Sequence, residues 1–352
     1  MNTPLEIGGT TIFPGNSATL ELEVGYVITH RPVALTAHVF HGKKPGPRIF
    51  VSAGVHGDEI NGIESVRLLS KLKSLKNICG TLILVPVVNI PAFLNRSRYL
   101  PDRRDLNRLF PGTACGPLGS RLAKTFFEEV IRGSDLGIDL HTGATNRPNL
   151  PQIRCTAGDD TALEFAKIFA APVTIQGSPP DGSLRGEAFK VGVPVLTYEG
   201  GGASLLRSEA VRYATRGSVN LLRHLGALPA KKSKEKKRAT VICTSSSWER
   251  APAGGIHENR VRLGAAVSKD DRLGTVSDPF GPTSTPIISN NSGIVIGRST
   301  ECLVDEGDAL FHIARTGDPV KAEERIQVQH EELASPTDPV APPSAEHDLT
   351  YS

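Results

Sequence analysis

The sequence predicts an α/β domain with a mainly parallel sheet flanked by helices, followed by a small C-terminal all-β module. Apolar runs of strand length alternate with helical patterns as far as about residue 228, an order typical of parallel sheets covered by helices. Beyond residue 238 the chain changes to short strands and glycine turns, which indicate the all-β module. His56, His141 and Glu199 each follow the last apolar residues of a strand, where ligands collect in such sheets.

The elements of the first domain follow from the periodicity of its apolar residues. Residues 1–48 are predicted to form short strands and turns before a buried strand at 49–53. The later elements are a helix from Ile60 to about Leu75, strands at 81–89, 136–141 and 193–199, and helices at 119–131, 161–169 and 209–225. The run at 81–89 is continuously apolar, as expected of a strand buried on both faces.

Shifts in composition divide the chain into four parts. These are a first domain at 1–228, a basic linker at 229–238, an all-β module at 239–318 and a disordered tail at 319–352. The linker could instead bind nucleic acid, but we favour a solvated connection between domains for so short a basic run. The tail is charged and contains prolines, a composition typical of disordered segments.

Charge and cysteine usage argue against several classes of protein. The 40 Lys and Arg residues against 37 Asp and Glu residues give a formal net charge of +3, too small to indicate nucleic acid or a membrane surface as a partner. No stretch approaches 18 uninterrupted apolar residues, and residues 1–15 lack the features of a signal peptide. Five widely spaced cysteines without a Cys-x-x-Cys pair suit a reducing compartment. A cytoplasmic location is therefore expected.

Three side chains at strand ends form a candidate metal site. His56 and Glu59 lie three residues apart where the first predicted helix begins, and such residues share a helix face. His141 follows a strand in which Asp139 points the same way, so Asp139 can hold the second ring nitrogen of His141. Two histidines and a carboxylate can bind zinc and leave a position open for water. The alternative, a histidine–aspartate pair that only stabilises the fold, is disfavoured by the presence of His56 and Glu59.

A second dense segment, Arg98 to Gly112, contains four arginines, an asparagine and a Pro-Gly stop. Arginine binds carboxylates through a planar two-pronged contact. An arginine beside a reacting carbonyl can also stabilise the oxyanion that forms on attack. The alternative is an exposed basic loop, which charge alone would favour.

The motifs occur in one order along the chain: His56-x-x-Glu59, Asp105-Leu106-Asn107-Arg108-x-Phe110-Pro111-Gly112, Asp139-Leu140-His141 and Glu199-Gly200-Gly201. With them, residues 45–225 resemble the succinylglutamate desuccinylase/aspartoacylase family of zinc-carboxypeptidase-like amidohydrolases, and the C-terminal module fits the layout of that family. The resemblance implies a zinc-carboxypeptidase-like, mixed and mainly parallel sheet. It also implies a deacylase that hydrolyses the amide bond of an N-acyl amino acid or a related small carboxylate.

The resemblance implies a role for each matching residue near the metal. One Zn²⁺ per chain would be held by His56, Glu59 and His141. Glu199 would act as the general base towards the attacking water and then as the acid that protonates the leaving amine. The alternative for Glu199 is a buried or capping carboxylate before a glycine-rich turn.

The resemblance also implies roles for the basic residues. Arg98 would polarise the scissile carbonyl, although the spacing to Asp105 leaves Arg103 or Arg104 open for that role. The substrate-binding residues would be Asn107, Arg108 and, with a poorer local match, Arg185.

Three further expectations concern alternative functions, the role of the all-β module and the binding partners. A zinc carboxypeptidase acting on peptide C-termini and a non-catalytic binding protein of the same fold are the alternatives to the deacylase. The all-β module is expected to cover the active-site entrance and so select small substrates. The partner is then a small N-acyl amino acid, with no nucleic acid and no membrane, and the oligomeric state, including a homo-oligomer, is left open.

Overall fold

The structure is a computed structural model that describes residues 2–230 and 239–334. Its strands, in chain order, are β1 (Leu5–Ile7), β2 (Thr10–Ile12), β3 (Ser17–Tyr26), β4 (Pro32–His41), β5 (Lys44–Ala53), β6 (Cys79–Val85), β7 (Leu136–Gly143), β8 (Asn149–Thr156), β9 (Val173–Gly177), β10 (Val195–Gly202), β11 (Val241–Cys243), β12 (Ser246–Arg250), β13 (Gly255–Asn259), β14 (Ala266–Val267), β15 (Arg272–Ser277), β16 (Ser284–Ile288), β17 (Gly293–Arg298), β18 (Leu303–Val304) and β19 (Ala309–Ala314).

The α-helices are α1 (Ile60–Ser70), α2 (Ile90–Leu94), α3 (Leu118–Phe126), α4 (Asp160–Phe169), α5 (Leu184–Lys190), α6 (Ser208–His224) and α7 (Pro319–Ala334). Short 3₁₀ segments lie at Lys73–Asn77 and Leu106–Arg108, and a π-helical segment at Phe127–Ile131 extends α3. None of the helices in the described ranges is both long and apolar enough to cross a membrane.

One large mixed sheet organises the molecule. Its strands lie in the spatial order β12-β19-β17-β8-β10-β7-β5-β6-β4-β3, with β9 and β11 continuing beside β8. The four central neighbours β10, β7, β5 and β6 are parallel. On the flanks, β4 is antiparallel to β3 and β6, and β8 is antiparallel to β10 and β17. The predicted parallel arrangement therefore holds at the centre of the sheet, whereas the flanks contain antiparallel pairs and the parallel pairs of β9 with β8 and β11.

The central strands are buried on both faces, as their continuous apolar runs predict. Ile49 and Val51 of β5 face a core that they share with α1, α4 and α6. Phe50, which points the opposite way, lies in a second core with α3 and α5. Because helices cover both faces, the carboxyl ends of the central strands are held rigidly at one edge of the sheet.

Several elements differ from the sequence-based expectation. β3 and β4 are ten-residue strands rather than short ones, and the helix expected as far as Leu75 ends at Ser70, before a 3₁₀ segment. β8, β9 and α5 were not predicted. β8 carries the buried polar residues Asn149 and Gln152, and these obscure the apolar pattern by which a strand is recognised.

The C-terminal strands form two groups. β13, β15, β16 and β18 make a separate antiparallel sheet, whereas β12, β17 and β19 extend the large sheet at β8. β11 returns to the first domain and pairs in parallel with β9. The predicted all-β module is therefore joined to the first domain through continuous sheet pairing and through an apolar cluster that includes Leu150, Val173 and Ile294.

The prediction of a disordered tail over 319–352 is wrong for its first half, because Pro319–Ala334 is helix α7. Ala322 and Ile326 pack into the cluster beneath β17, Leu333 reaches the main core, and the Gln329 amide donates to the carbonyl of Ala239 over 3.0 Å. The buried positions recur at helical spacing among charged residues, so overall charge hid an amphipathic pattern. Residues 335–352, and 231–238 of the predicted linker, lie outside the described part of the chain.

Candidate metal centre and active site

The site is built at the carboxyl ends of three adjacent strands. β5 lies beside β7, and β7 beside β10. His56 and Glu59 follow β5, while His141 on β7 and Glu199 on β10 are direct Cα partners across the parallel ladder. The topology therefore brings together side chains that are up to 143 positions apart in the sequence.

The turn between His56 and Glu59 requires a glycine at position 57. A Cβ at Gly57 would lie 2.1 Å from the carbonyl carbon of Ala92, and the Gly57 amide donates to the carbonyl of Ser97 over 2.9 Å. Helix α2 and the residues that follow it thus pack directly on the backbone of this turn. This contact fixes the direction in which His56 and Glu59 leave the end of β5.

His56, Glu59 and His141 are buried and form a group that could hold a metal ion, with one ligand atom from each within 4.8 Å of the others. Nδ1 of His56 lies 2.7 Å from Oε1 of Glu59, and Nδ1 of His141 lies 2.9 Å from Oε2. The Thr142 amide donates to the same carboxylate over 3.0 Å. The two imidazoles therefore present the same type of nitrogen to the centre of the group.

A carboxylate holds the outer nitrogen of each imidazole. Nε2 of His141 lies 2.7 Å from Asp139, which also accepts from the Ser52 hydroxyl over 2.8 Å. Nε2 of His56 lies 3.1 Å from Asp105. Because an ionised carboxylate only accepts, each Nε2 carries a proton, and each Nδ1 would be the nitrogen left to bind an ion at the centre of the group. This is the arrangement that orients histidines as metal ligands.

The charges around the two histidines also fit a divalent cation. Glu59, Asp105 and Asp139 bring three negative charges, and Arg98 brings one positive charge. With both imidazoles neutral, two negative charges remain in a buried place, where uncompensated charge is costly. Burial by itself would raise the pKa of Glu59, but the imidazoles hold that pKa well below its ordinary value. The donor set and the charge therefore both fit a divalent metal ion.

Glu199 lies in the same pocket and is held through both of its oxygens. Oε2 accepts a hydrogen bond from the Asn149 amide over 2.7 Å, and Oε1 lies 3.5 Å from Nε of Arg154. The pocket has a volume of about 300 Å³ and is lined by the histidines, Glu59 and Glu199 together.

Of the three arginines considered for the carbonyl, only Arg98 lines this pocket. Its guanidinium donates to Asp105 over 2.9 Å and lies 3.5 Å from Glu59. Arg103 has a left-handed backbone with φ of 66° and is exposed, and Arg104 is exposed and lies 3.6 Å from Asp102. The chain thus turns Arg103 and Arg104 away from the site and leaves Arg98 beside the candidate metal ligands.

Asn107 and Arg108 also line the pocket. The side-chain oxygen of Asn107 accepts from the Leu184 amide over 2.9 Å, which fixes the start of α5 to this loop. Arg108 donates to the carbonyl of Asn107 over 2.6 Å and remains exposed. Both side chains therefore lie at the pocket wall, with Asn107 half-buried and Arg108 exposed.

Arg185 of α5 is almost completely buried against the pocket. Its Nε and Nη1 atoms have no hydrogen-bond partner in the part of the chain that is described. Burial, with repulsion from Arg154, lowers the pKa of Arg185 to about 10. A buried guanidinium with free donors is expected to bind an anion, and this pocket is where that anion would lie.

The C-terminal strands complete the wall with Trp248 from β12 and His312 from β19. The two rings are stacked, with centroids 4.6 Å apart and an interplanar angle of 12°. Nε2 of His312 lies 2.9 Å from the Ser246 hydroxyl. Burial, with the charge of Arg154, lowers the pKa of His312 from 6.5 to about 3. His312 is therefore neutral when the protein is folded at physiological pH.

The low pKa of His312 predicts a loss of stability in acid. Below pH 6.5 His312 binds a proton in the unfolded chain, whereas in the folded protein it stays neutral until about pH 3. The stability that the neutral His312 contributes is therefore fully present above pH 6.5 and declines as the pH falls. The slope from one such group is at most about 1.4 kcal/mol per pH unit. Urea unfolding between pH 7.5 and 5 is expected to show a weaker pH dependence for His312→Phe than for wild type. Parallel curves would contradict the assignment.

The sequence analysis predicted no role for several residues of the pocket and its immediate surroundings. Asp105 belongs to one of the family motifs, but its contact with His56 was not predicted. Asn149 and Arg154 lie on the unpredicted strand β8, and Trp248 and His312 come from strands beyond residue 239. No local pattern marks these four, because they reach the pocket only through the tertiary pairing of β8 with β10 and β17, of β17 with β19 and of β19 with β12.

The fold and the ligand group define an α/β protein with a buried candidate metal centre at the strand ends. A family model of the succinylglutamate desuccinylase/aspartoacylase catalytic domain matches residues 45–225. The chain belongs to this family, as its motifs predicted.

Similar proteins extend the comparison beyond the catalytic domain. N-alpha-acetyl-L-2,4-diaminobutyric acid deacetylase of Halomonas elongata is 28% identical over 281 residues, which cover 76% of this chain and 82% of that protein. The product-bound structure of an ectoine utilization protein from Ruegeria pomeroyi has a TM-score of 0.77 at 26% identity and covers 85% of this chain and 95% of its own. A succinylglutamate desuccinylase/aspartoacylase structure from Rhodobacter sphaeroides, with a TM-score of 0.77, 23% identity and coverage of 86% and 96%, shares the fold.

Proposed function

We propose that this protein is a zinc-dependent deacylase that hydrolyses the amide bond of an N-acyl amino acid or a related small carboxylate. The observation that carries the proposal is the presence of the His56, Glu59 and His141 group and of Glu199 in one pocket of about 300 Å³. A deacetylase of an acylated amino acid among the similar proteins supports the substrate class. The parallel centre of the sheet, with ligands at its strand ends, supports a zinc-carboxypeptidase-like fold.

His56, Glu59 and His141 would hold the ion, with Asp139 and Asp105 fixing the two imidazoles. When bound there, Zn²⁺ would supply Lewis-acid polarisation of the carbonyl and lower the pKa of a water molecule towards neutrality. Glu199, ionised beside Asn149, would accept a proton from the attacking water at Oε1 or Oε2. It would then return that proton to the nitrogen of the leaving amine.

The arginines would place the substrate around these groups. Arg98, beside Glu59, would stabilise negative charge on the scissile carbonyl oxygen. Asn107 and Arg108 would bind the carboxylate of the amino acid. The Nε and Nη1 donors of Arg185, which have no partner among the described residues, would bind a second carboxylate. The stacked rings of Trp248 and His312 would close the pocket on the side of the C-terminal strands and exclude long peptides.

The test of this function is a substrate screen with and without a chelator. The purified protein is given N-acetyl, N-succinyl and longer N-acyl amino acids and, in parallel, unblocked peptides. Hydrolysis of small N-acyl amino acids that stops on chelation supports the proposal. Release of C-terminal residues from long peptides at a comparable rate would instead identify a carboxypeptidase, and no hydrolysis despite bound metal would favour a binding protein.

Arg108→Ala is expected to raise KM for carboxylate-bearing substrates by about 10- to 100-fold while kcat changes little. The exposed guanidinium would contribute uniform binding of a carboxylate, and a lost charge-assisted hydrogen bond weakens binding by about 1.5–3 kcal/mol. Steady-state kinetics on the best substrate of the screen measure the effect, with the exposed Arg104→Ala as the control. An unchanged KM would mean that the carboxylate is bound elsewhere.

A further inference from the structure

We propose that Asn149 is a positioning residue for Glu199 and that Gly297 of the C-terminal strands keeps Asn149 in place. The inference rests on the proposed function, because it concerns the carboxylate that would act as the base. It also gives the C-terminal strands a part in the reaction beyond forming a wall of the pocket.

The contact between Asn149 and Glu199 is short and specific. The Asn149 side-chain nitrogen donates to Oε2 of Glu199 over 2.7 Å. Because an ionised carboxylate offers no donor, the amide must turn its NH₂ group towards Glu199. The other oxygen, Oε1, lies 3.5 Å from Arg154, so the carboxylate is held at two points and its orientation is defined.

The backbone of Asn149 is fixed from two sides. Asn149 begins β8, where it is the Cα partner of Gly201 on β10 and of Gly297 on β17. Glu199 lies two positions before Gly201 on the same strand as this partner. The hydrogen bond therefore joins β8 and β10 at the position where β8 also pairs with the C-terminal strand β17.

Gly297 leaves the space that the Asn149 side chain occupies. A Cβ built at Gly297 would lie 2.9 Å from Oδ1 of Asn149 and 3.3 Å from Cβ of His312. The first distance is too short for ordinary packing, and the second leaves little room to relax. An added methyl group would therefore displace the Asn149 amide, the stacked His312 or both, and it would do so without touching Glu199 or the metal ligands.

The first experiment measures kcat and KM of two substitutions at position 149. Asn149→Ala is expected to lower kcat on the order of 10- to 100-fold, with KM and metal content close to wild type. Asn149→Asp keeps the size and shape of the side chain but replaces the donor with an acceptor, so at pH 8 its loss of kcat should be at least as large. Near-normal kcat in Asn149→Asp would show that shape alone matters and would overturn the proposal.

A double-mutant cycle separates positioning from a structural role. Glu199→Asp withdraws the carboxylate by one methylene group, beyond the reach of the amide, and is expected to keep measurable activity. Adding Asn149→Ala to Glu199→Asp should then lower kcat by less than 3-fold, whereas the same change in wild type costs 10-fold or more. Equal losses in the two backgrounds would mean that Asn149 acts independently of Glu199.

Gly297→Ala tests the same contact from the side of the C-terminal strands. It is expected to lower kcat in wild type and to have little further effect in the Asn149→Ala protein, because the displaced group is then already absent. The control is Asn259→Ala, which removes an amide that donates to the Ser299 carbonyl over 2.9 Å outside the pocket. A rise in KM as the main effect at position 149 would make Asn149 a substrate-binding residue instead.

The outcome is distinguishable from a failure of the proposed function. If Glu199→Gln retains normal turnover, the base assignment fails whatever the result at position 149. If Glu199→Gln abolishes turnover while Asn149→Ala and Gly297→Ala retain normal kcat, the proposed function stands and the positioning role alone is lost.

Discussion

Replacing Glu199 with glutamine is expected to lower kcat on the order of 10³- to 10⁴-fold without loss of bound metal. Glutamine has nearly the same size and can still meet the Asn149 side chain, but it accepts no proton from water at neutral pH. A positioned general base contributes up to about 10⁴-fold to turnover. Glu199 lies outside the His56, Glu59 and His141 group, so the metal content should match that of wild type.

The measurement combines steady-state kinetics with elemental analysis of the same preparation. Glu64→Gln is a matched control, because Glu64 pairs with Arg67 on the surface of α1 over 2.5 Å, away from the pocket. The control should keep wild-type kcat. Turnover of Glu199→Gln within 10-fold of wild type would remove Glu199 from its proposed role.

Removal of the metal is expected to abolish hydrolysis, and one equivalent of Zn²⁺ per chain should restore it. Without a cation the imidazoles are expected to be protonated. Burial lowers the pKa of His141, but Asp139 and Glu59 raise it well above its ordinary value. Burial likewise lowers the pKa of His56, but Glu59 and Asp105 raise it above its ordinary value. The protein should remain folded, because the strands that carry the ligands are buried between apolar cores on both faces of the sheet. Activity, zinc content and circular dichroism are measured before and after dialysis against a chelator.

The ligand variant His141→Ala sharpens this test. It should bind zinc weakly and should not regain activity when zinc is added. The control is His38→Ala, which removes a histidine of β4 that is hydrogen-bonded to Thr19 and should behave as wild type. Full turnover of the chelated protein would show that hydrolysis does not depend on a metal. Restoration of His141→Ala by equimolar zinc would remove His141 from the ligand set.

The sequence was sufficient to predict the central strands and the residues at their ends. The reason is physical: a strand buried on both faces has a continuous apolar run, and its end is marked where polar residues such as His141 and Glu199 begin. His56 and Glu59 were identified for the same reason, with their short spacing as added evidence. All four lie together because parallel strands place their ends at one edge of the sheet.

What the sequence did not predict depends on contacts between distant segments. Arg98 could not be separated from Arg103 and Arg104, because the left-handed turn at Arg103 has no glycine to mark it. Asn149 and Trp248 enter the pocket through pairing across long intervals of chain. Helix α7 was mistaken for tail because its buried positions are few and its exposed face is highly charged.

The return of β11 to β9, and of α7 to the main core, has a consequence for any attempt to isolate the catalytic part. A fragment ending at residue 228 would contain every candidate metal ligand, yet it would bare one side of β9 and the apolar surface covered by Ile326 and Leu333. An uncovered strand edge beside an exposed apolar patch invites aggregation. We therefore expect the ligands and the strands that follow the linker to fold as one cooperative unit. Truncation at the apparent domain boundary would destabilise the whole of that unit, including the candidate metal site.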